Sequence, residues 1–122
     1  MRILIVDDNP DALATLGALL TLDGHTVNLA PSARFGLNTA QGSPPDVVVL
    51  DLSMPLIDGF ELARSLRKSI FPSPLLIAVT GRTAPETADK ALAAGIDHIF
   101  YKPVLADTLL AVISAHASTR PQ

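Results

Sequence analysis

Apolar positions along this chain follow two alternating rhythms. Short runs at Ile3–Val6, Val27–Ala30, residues 46–50, Leu75–Val79 and Ile96–Tyr101 have the length and side-chain types of buried strands. Between them, apolar residues recur at helical spacing. Leu13, Leu16, Leu19 and Leu20 define a first helix, opened by Asn9-Pro10 and closed by Gly24. Phe35, Leu37 and Ala40 define a short second helix that stops at Gln41-Gly42. Phe60, Leu62, Ala63 and Leu66 mark a third after Gly59, whose polar side carries Glu61, Arg64, Arg67 and Lys68 as a solvated face. Phe71-Pro72-Ser73-Pro74 breaks the chain there. Thr83 and Glu86 have capping-box spacing ahead of a fourth helix with Ala88, Ala91, Leu92 and Ala94, which Gly95 closes. Leu109, Leu110, Val112 and Ile113 face inward on a fifth.

Five strand–helix units in succession predict a parallel sheet with helices on both faces, joined by right-handed crossovers. A chain of 122 residues fits one domain and is short of the roughly 250 that a closed α/β barrel takes. The expected class is therefore an open, doubly wound α/β sheet. The third strand shows best what such a sheet delivers. Val47-Val48-Val49-Leu50 is apolar without interruption, like a strand buried on both faces, and it runs straight into Asp51. Asp7-Asp8, Thr80 and Lys102 follow the first, fourth and fifth strands. In a parallel sheet these four ends share one edge, where ligands of open α/β sheets bind. The pattern predicts a pocket of three carboxylates, one hydroxyl and one ammonium.

Three adjacent carboxylates repel one another, and a single lysine cannot neutralise them. Either one aspartate takes up a proton or a cation sits among them. Carboxylate oxygens with room for water and phosphate suit Mg²⁺. An aspartate in that setting is a competent nucleophile towards a phosphoryl group. Lys102 and Thr80 are then placed to bind phosphoryl oxygens. Singly, each residue has a plainer reading: Asp7 and Asp8 as helix caps, Asp51 as a turn former, Thr80 as a strand end, Lys102 as a surface lysine. Their convergence on one edge favours the joint reading.

Composition narrows the field. A net charge of −3, no basic stripe and 4% aromatics argue against direct nucleic-acid binding. The chain has no cysteine, which excludes disulfides and thiolate metal sites and fits a reducing compartment. His25, His98 and His116 share no metal-ligand spacing. No apolar run approaches the roughly 18 residues of a membrane span, and Met1–Val6 meets Asp7-Asp8 too soon for a signal peptide. The expectation is a cytoplasmic protein with no membrane partner.

The ordered motifs Val6-Asp7-Asp8-Asn9, Asp51-Leu52-Ser53-Met54-Pro55 with Asp58-Gly59, Val79-Thr80-Gly81, Ala94-Gly95-Ile96-Asp97 and Lys102-Pro103 carry a resemblance. Each is short, but all occur in order at the right strand ends. The chain resembles the receiver (response-regulator) domain of two-component phosphorelay signalling. The resemblance implies a flavodoxin-like (βα)5 fold with strand order 2-1-3-4-5. It covers a domain over residues 1–118, leaving 119–122 as a frayed tail or the start of a linker. It implies that Asp51 accepts a phosphoryl group from a histidine kinase or histidine phosphotransfer protein. Mg²⁺ (or Mn²⁺) would be held by Asp8, Asp51 and the backbone carbonyl of Ser53, and by Asp7 through water. Thr80 and Lys102 would bind the phosphoryl group, with Gly81 leaving it room, and Ser53 and Arg82 sit where the family tunes its lifetime. A cis Lys102-Pro103 bond is also implied. The target would be an output domain or partner protein, and the chain would act on no separate substrate.

Three departures stand out. The position of the family's aromatic switch, three before the lysine, is Ile99, and Tyr101 is out of that register, so a rotating aromatic is not expected as the readout. Leu105 is a poor residue for the start of the last helix. That helix has no Arg or Lys between Val104 and Ser118, unlike the charged dimer face of DNA-binding response regulators, and the Gly-Ile-Asp-His and Lys-Pro-Val stretches are more like receivers attached to hybrid histidine kinases. Two other classes fit less well: a phosphorylation-independent receiver-like binding module, and an aspartate-nucleophile phosphatase, which needs an Asp-x-Asp pair that Asp51-Leu52-Ser53 lacks.

Overall fold

In the computed structural model, residues 1–52, 59–81 and 86–119 are described, with side chains through residue 117. Five strands alternate with five helices: β1 (Arg2–Val6), α1 (Pro10–Leu22), β2 (Thr26–Ala30), α2 (Ala33–Gly42), β3 (Val47–Asp51), α3 (Gly59–Ser69), β4 (Leu75–Thr80), α4 (Glu86–Ala93), β5 (His98–Tyr101) and α5 (Ala106–Thr119). The strands pair in parallel in the order β2-β1-β3-β4-β5. This is the doubly wound, flavodoxin-like sheet expected from the alternation and the resemblance.

Strand parity sorts the core into two layers. Leu4, Val6, Val48, Leu50, Leu76 and Ala78 pack with Ala33 and Ala40 of α2, Leu62, Ala63 and Leu66 of α3, and Ala91 of α4. Ile3, Ile5, Val47, Val49 and Ile77 pack with Leu13 and Leu20 of α1 and Leu109 and Ile113 of α5. Helices α1 and α5 therefore cover one face, and α2, α3 and α4 the other. All five residues of β3 are buried, as a central strand covered on both faces requires.

Helix starts follow the chemistry of their caps. The Asn9 side chain accepts from the backbone N–H groups of Asp11 and Ala12 at 2.9 and 3.2 Å, with Pro10 in the first turn. The Ser32 hydroxyl accepts from Phe35 N at 3.1 Å. The capping box of Thr83 and Glu86 falls on a segment whose Thr83 lies outside the described residues.

Several expectations need correcting. Phe35, Leu19 and Leu92 do not mark inward faces: they are exposed, and α2 buries Ala33, Gly36 and Ala40 instead. Short helices pressed close to a sheet present small residues to it, so the largest apolar residue is a poor guide to the inner face. β5 starts at His98 rather than Ile96. The cause is Arg67, which is no solvated cation. Its guanidinium donates to Gly95 O (2.8 and 2.6 Å), Pro74 O (2.6 Å), Ser73 Oγ (2.6 Å) and Asp97 Oδ2 (2.6 Å). Asp97 Oδ2 also accepts from Leu76 N at 2.8 Å while Asp97 N donates to Leu76 O at 2.9 Å, so a side-chain carboxylate stands where a further ladder carbonyl would, and β5 begins at the next residue. Gly95 adopts φ 90°, and a Cβ there would lie 2.9 Å from Arg67 Cγ. Finally, α5 continues through Thr119, so residues 118 and 119 are helical.

Candidate functional site

Strands β1, β3, β4 and β5 end on one edge of the sheet. Asp51 is the last residue of β3 and only 5% exposed. Its Oδ2 accepts from Lys102 Nζ at 3.1 Å, a salt bridge whose lysine side chain is 42% exposed. Asp7 follows β1 directly and is also buried. Its backbone N–H donates to Ala30 O at 3.1 Å, and its Oδ1 accepts from Asn9 N at 2.9 Å. Asp7 thus shapes the loop into α1, while Asn9 supplies the helix cap. Asp8 is exposed. One carboxylate oxygen from each of Asp7, Asp8 and Asp51 lies within 4.8 Å of the others.

The Asp7 carboxyl is held above the ordinary carboxylate range. Burial is the largest cause, and the neighbouring charges of Asp51 and Asp8 push the same way. The Asn9 N–H and the Lys102 ammonium act against them without cancelling them. Among the described residues, three convergent carboxylate oxygens and the Lys102 ammonium meet here, and the carboxylates make an all-oxygen donor set. That set fits a small divalent cation such as Mg²⁺.

Lys102 is positioned from both sides. Its N–H donates to Thr80 O at 2.9 Å, and the Lys102-Pro103 peptide is cis, as the resemblance implies. Phe71-Pro72 is cis as well, which no sequence feature had singled out. Thr80 closes β4 and is fully buried. A Cβ on Gly81 would meet none of the described residues within 4 Å. Gly59, by contrast, is tightly placed: a Cβ there would come within 3.1 Å of Asp51 O. The structure therefore brings Asp7, Asp8, Asp51, Thr80, Gly81 and Lys102 to one edge, whereas Ser53, Asp58 and Arg82 lie outside the described residues.

Ile99 is half-buried and packs into the layer covered by α2, α3 and α4. Its register partner is Ala78, and the next same-face pair along the two strands is Thr80 with Tyr101. Tyr101 is 44% exposed. Tyr101 is displaced by two positions from Ile99, where the family's aromatic is expected. The period of a strand makes those two positions share a face, and that signal was available.

Comparison with known proteins agrees with this geometry. Residues 3–114 match the family model described as response regulator receiver domain. The transcriptional regulatory protein TcrA of Mycobacterium tuberculosis is 36% identical over 121 residues, covering 99% of this chain and 47% of the relative. The response regulator MprA of Mycolicibacterium vanbaalenii is 36% identical over 115 residues, covering 94% and 49%. The crystal structure of a CheY-like response regulator receiver domain protein from Methanospirillum hungatei superposes with a TM-score of 0.90 at 32% identity, covering 96% of this chain and 93% of that one. The chemotaxis protein CheY4 of Vibrio cholerae gives 0.86 at 29% identity, covering 93% and 96%. The chain belongs to the receiver-domain family of response regulators. It spans about half the length of the curated relatives it matches.

Proposed function

We propose that this receiver domain is a switch that takes a phosphoryl group onto Asp51 from a histidine kinase or a histidine phosphotransfer protein, and then changes the surface it offers a partner. The observation that carries this reading is the buried Asp51 carboxylate, salt-bridged to Lys102 at 3.1 Å and flanked by the carboxylates of Asp7 and Asp8. Family membership supports it, because receiver domains are phosphoacceptor modules of two-component signalling rather than enzymes that turn over a separate substrate.

In this reading an Asp51 carboxylate oxygen forms a bond to phosphorus as the bond from phosphorus to the donor's imidazole nitrogen breaks, the electron pair staying with the imidazole. Mg²⁺ or Mn²⁺, held by Asp8, Asp51 and the Ser53 carbonyl and by Asp7 through water, would supply positive charge that offsets the phosphoryl oxygens. Lys102 exchanges its contact with Asp51 for one with a phosphoryl oxygen, keeping a charge-assisted hydrogen bond throughout. Thr80 binds another phosphoryl oxygen, and Gly81, with no side chain, leaves room for the group. Ser53 and Arg82 tune how long it persists. In this reading the domain acts in the cytoplasm. Among the described residues, no helix is long and apolar enough to cross a membrane.

Incubation with acetyl phosphate and Mg²⁺ is expected to add one phosphoryl group by intact-protein mass spectrometry. Asp51→Asn is expected to remove it. Full labelling of the Asn variant sinks the assignment. Ile99, aliphatic where the family's switch aromatic stands, is the observation that favours a phosphorylation-independent binding module. Equal affinity of a captured partner for the two phosphorylation states is the result that would support it.

A further inference from the structure

Two of the three histidines, distant from each other in sequence, reach one cavity in the fold. That cavity, of about 300 Å³, is lined by Leu75, His98, Val112, Ala115 and His116. It lies where β4 and β5 begin, at the end of the sheet opposite Asp51 and Lys102. Strand alternation brings His98 there. His98 and Phe100 share one face of β5, and Phe100 packs in the layer covered by α1 and α5. Their rings lie nearly parallel, 10° apart in plane with centroids 6.4 Å apart. From the helix come Val112, Ala115 and His116, whose spacing of three and four residues puts them on one face of α5. Ala115 has the smallest side chain of these, which limits how far the helix fills the space towards the strand.

We propose that His98 and His116 together bind a divalent transition-metal ion of the Zn²⁺ class, joining β5 to α5. Donor chemistry selects the ion. Imidazole nitrogen suits Zn²⁺, Cu²⁺ and Ni²⁺, whereas carboxylate oxygen suits Mg²⁺. This ion is therefore of a different class from the one that fits Asp7, Asp8 and Asp51. A metal is held by a ring nitrogen in the plane of the imidazole, while Phe100 lies against the face of the His98 ring. The aromatic contact thus orients His98 without covering its donors. His98 is exposed and His116 half-buried, so water can complete the coordination. His25, the third histidine, is occupied differently. Its Nδ1 lies 3.2 Å from the amino group of Met1, and its Nε2 lies 3.2 Å from Asp23 Oδ2. The inference goes beyond the phosphoacceptor reading and does not depend on it, since binding is measured without phosphorylation and at other residues.

The test is a titration of the chain with Zn²⁺ in the presence of excess Mg²⁺, at a pH of about 7.5 where free imidazole is neutral. The imidazole nitrogens are followed by NMR. Those of His98 and His116 are expected to shift together, saturably and with one dissociation constant, while those of His25 stay in place. His98→Gln and, separately, His116→Gln are each expected to weaken Zn²⁺ binding at the remaining imidazole about tenfold or more, because a second ligand no longer acts at high effective concentration. Native amide dispersion reports that each variant is folded. Different constants at the two imidazoles, equal shifts at His25, the same shifts with Mg²⁺ alone, or an unchanged constant at the remaining imidazole of a folded variant would each overturn the proposal.

Discussion

Among single residues, Asp7 is a point of electrostatic tension in the site. Its carboxyl is raised above the ordinary range by burial and by the charges of Asp51 and Asp8. The native state therefore holds this proton more tightly than the unfolded chain does. The stability linked to it is complete below the unfolded pKa and is lost as pH rises through the folded one. Without metal, ionised Asp7 works against the fold at neutral pH. Asp7→Asn is expected to raise the melting temperature of the metal-free protein by a few degrees at pH 7, and to lose that advantage at the acid end, below the ordinary aspartate range. Thermal melts of both proteins across pH check this, and a difference that does not vary with pH would contradict it. The placement of Asp7, Asp8, Asp51 and Lys102 was legible in the sequence because each stands at the end of an apolar run. The raised pKa of Asp7 and its separate duty in receiving the Asn9 N–H were not legible, since both depend on distances in the fold.

The elements were easier to find than their ends. Alternating apolar rhythm located every strand and helix, but the start of β5 depended on Arg67, thirty residues before Asp97 in sequence and bonded to it in the fold. Arg67 ties the end of α3 to the loop before β4 and to the turn between α4 and β5 through five hydrogen bonds. Arg67→Ala is expected to cost about 2 kcal/mol in denaturant unfolding, because carbonyls that it bridges lose a charged donor. Arg67→Lys should recover little, since one ammonium cannot copy a planar fork that reaches several acceptors. Full recovery by Lys would reduce the role of Arg67 to its charge. At the other end of the sheet, α5 begins at Ala106, so Leu105 occupies the cap position with its side chain largely in solvent. Leu105→Asp is expected to stabilise the protein by about 1 kcal/mol in the same assay, by supplying an acceptor for the first free N–H groups. An unchanged or lowered midpoint would show that Leu105 makes a contact worth more than a cap.

For the whole molecule, the class of fold followed from periodicity alone, while the strand order came through the resemblance, because alternation does not say which side of β1 the later strands take. The two core layers divide the helices unequally, and the sole tyrosine of the chain stands between a buried threonine and the lysine of the site. There is no tryptophan. The near-ultraviolet emission of this protein is consequently that of one phenol ring, Tyr101, partly in water and in register with Thr80. A change in charge or packing at the strand ends should alter its quantum yield without any label. Addition of Mg²⁺ to the metal-free chain is expected to change that emission saturably, with the response lost in Asp51→Asn, and Tyr101→Phe should leave a protein with almost no signal above 300 nm. An unresponsive Tyr101 would show that the ring is electronically isolated from its neighbours. Otherwise nature has built a single-fluorophore sensor into the edge of the sheet.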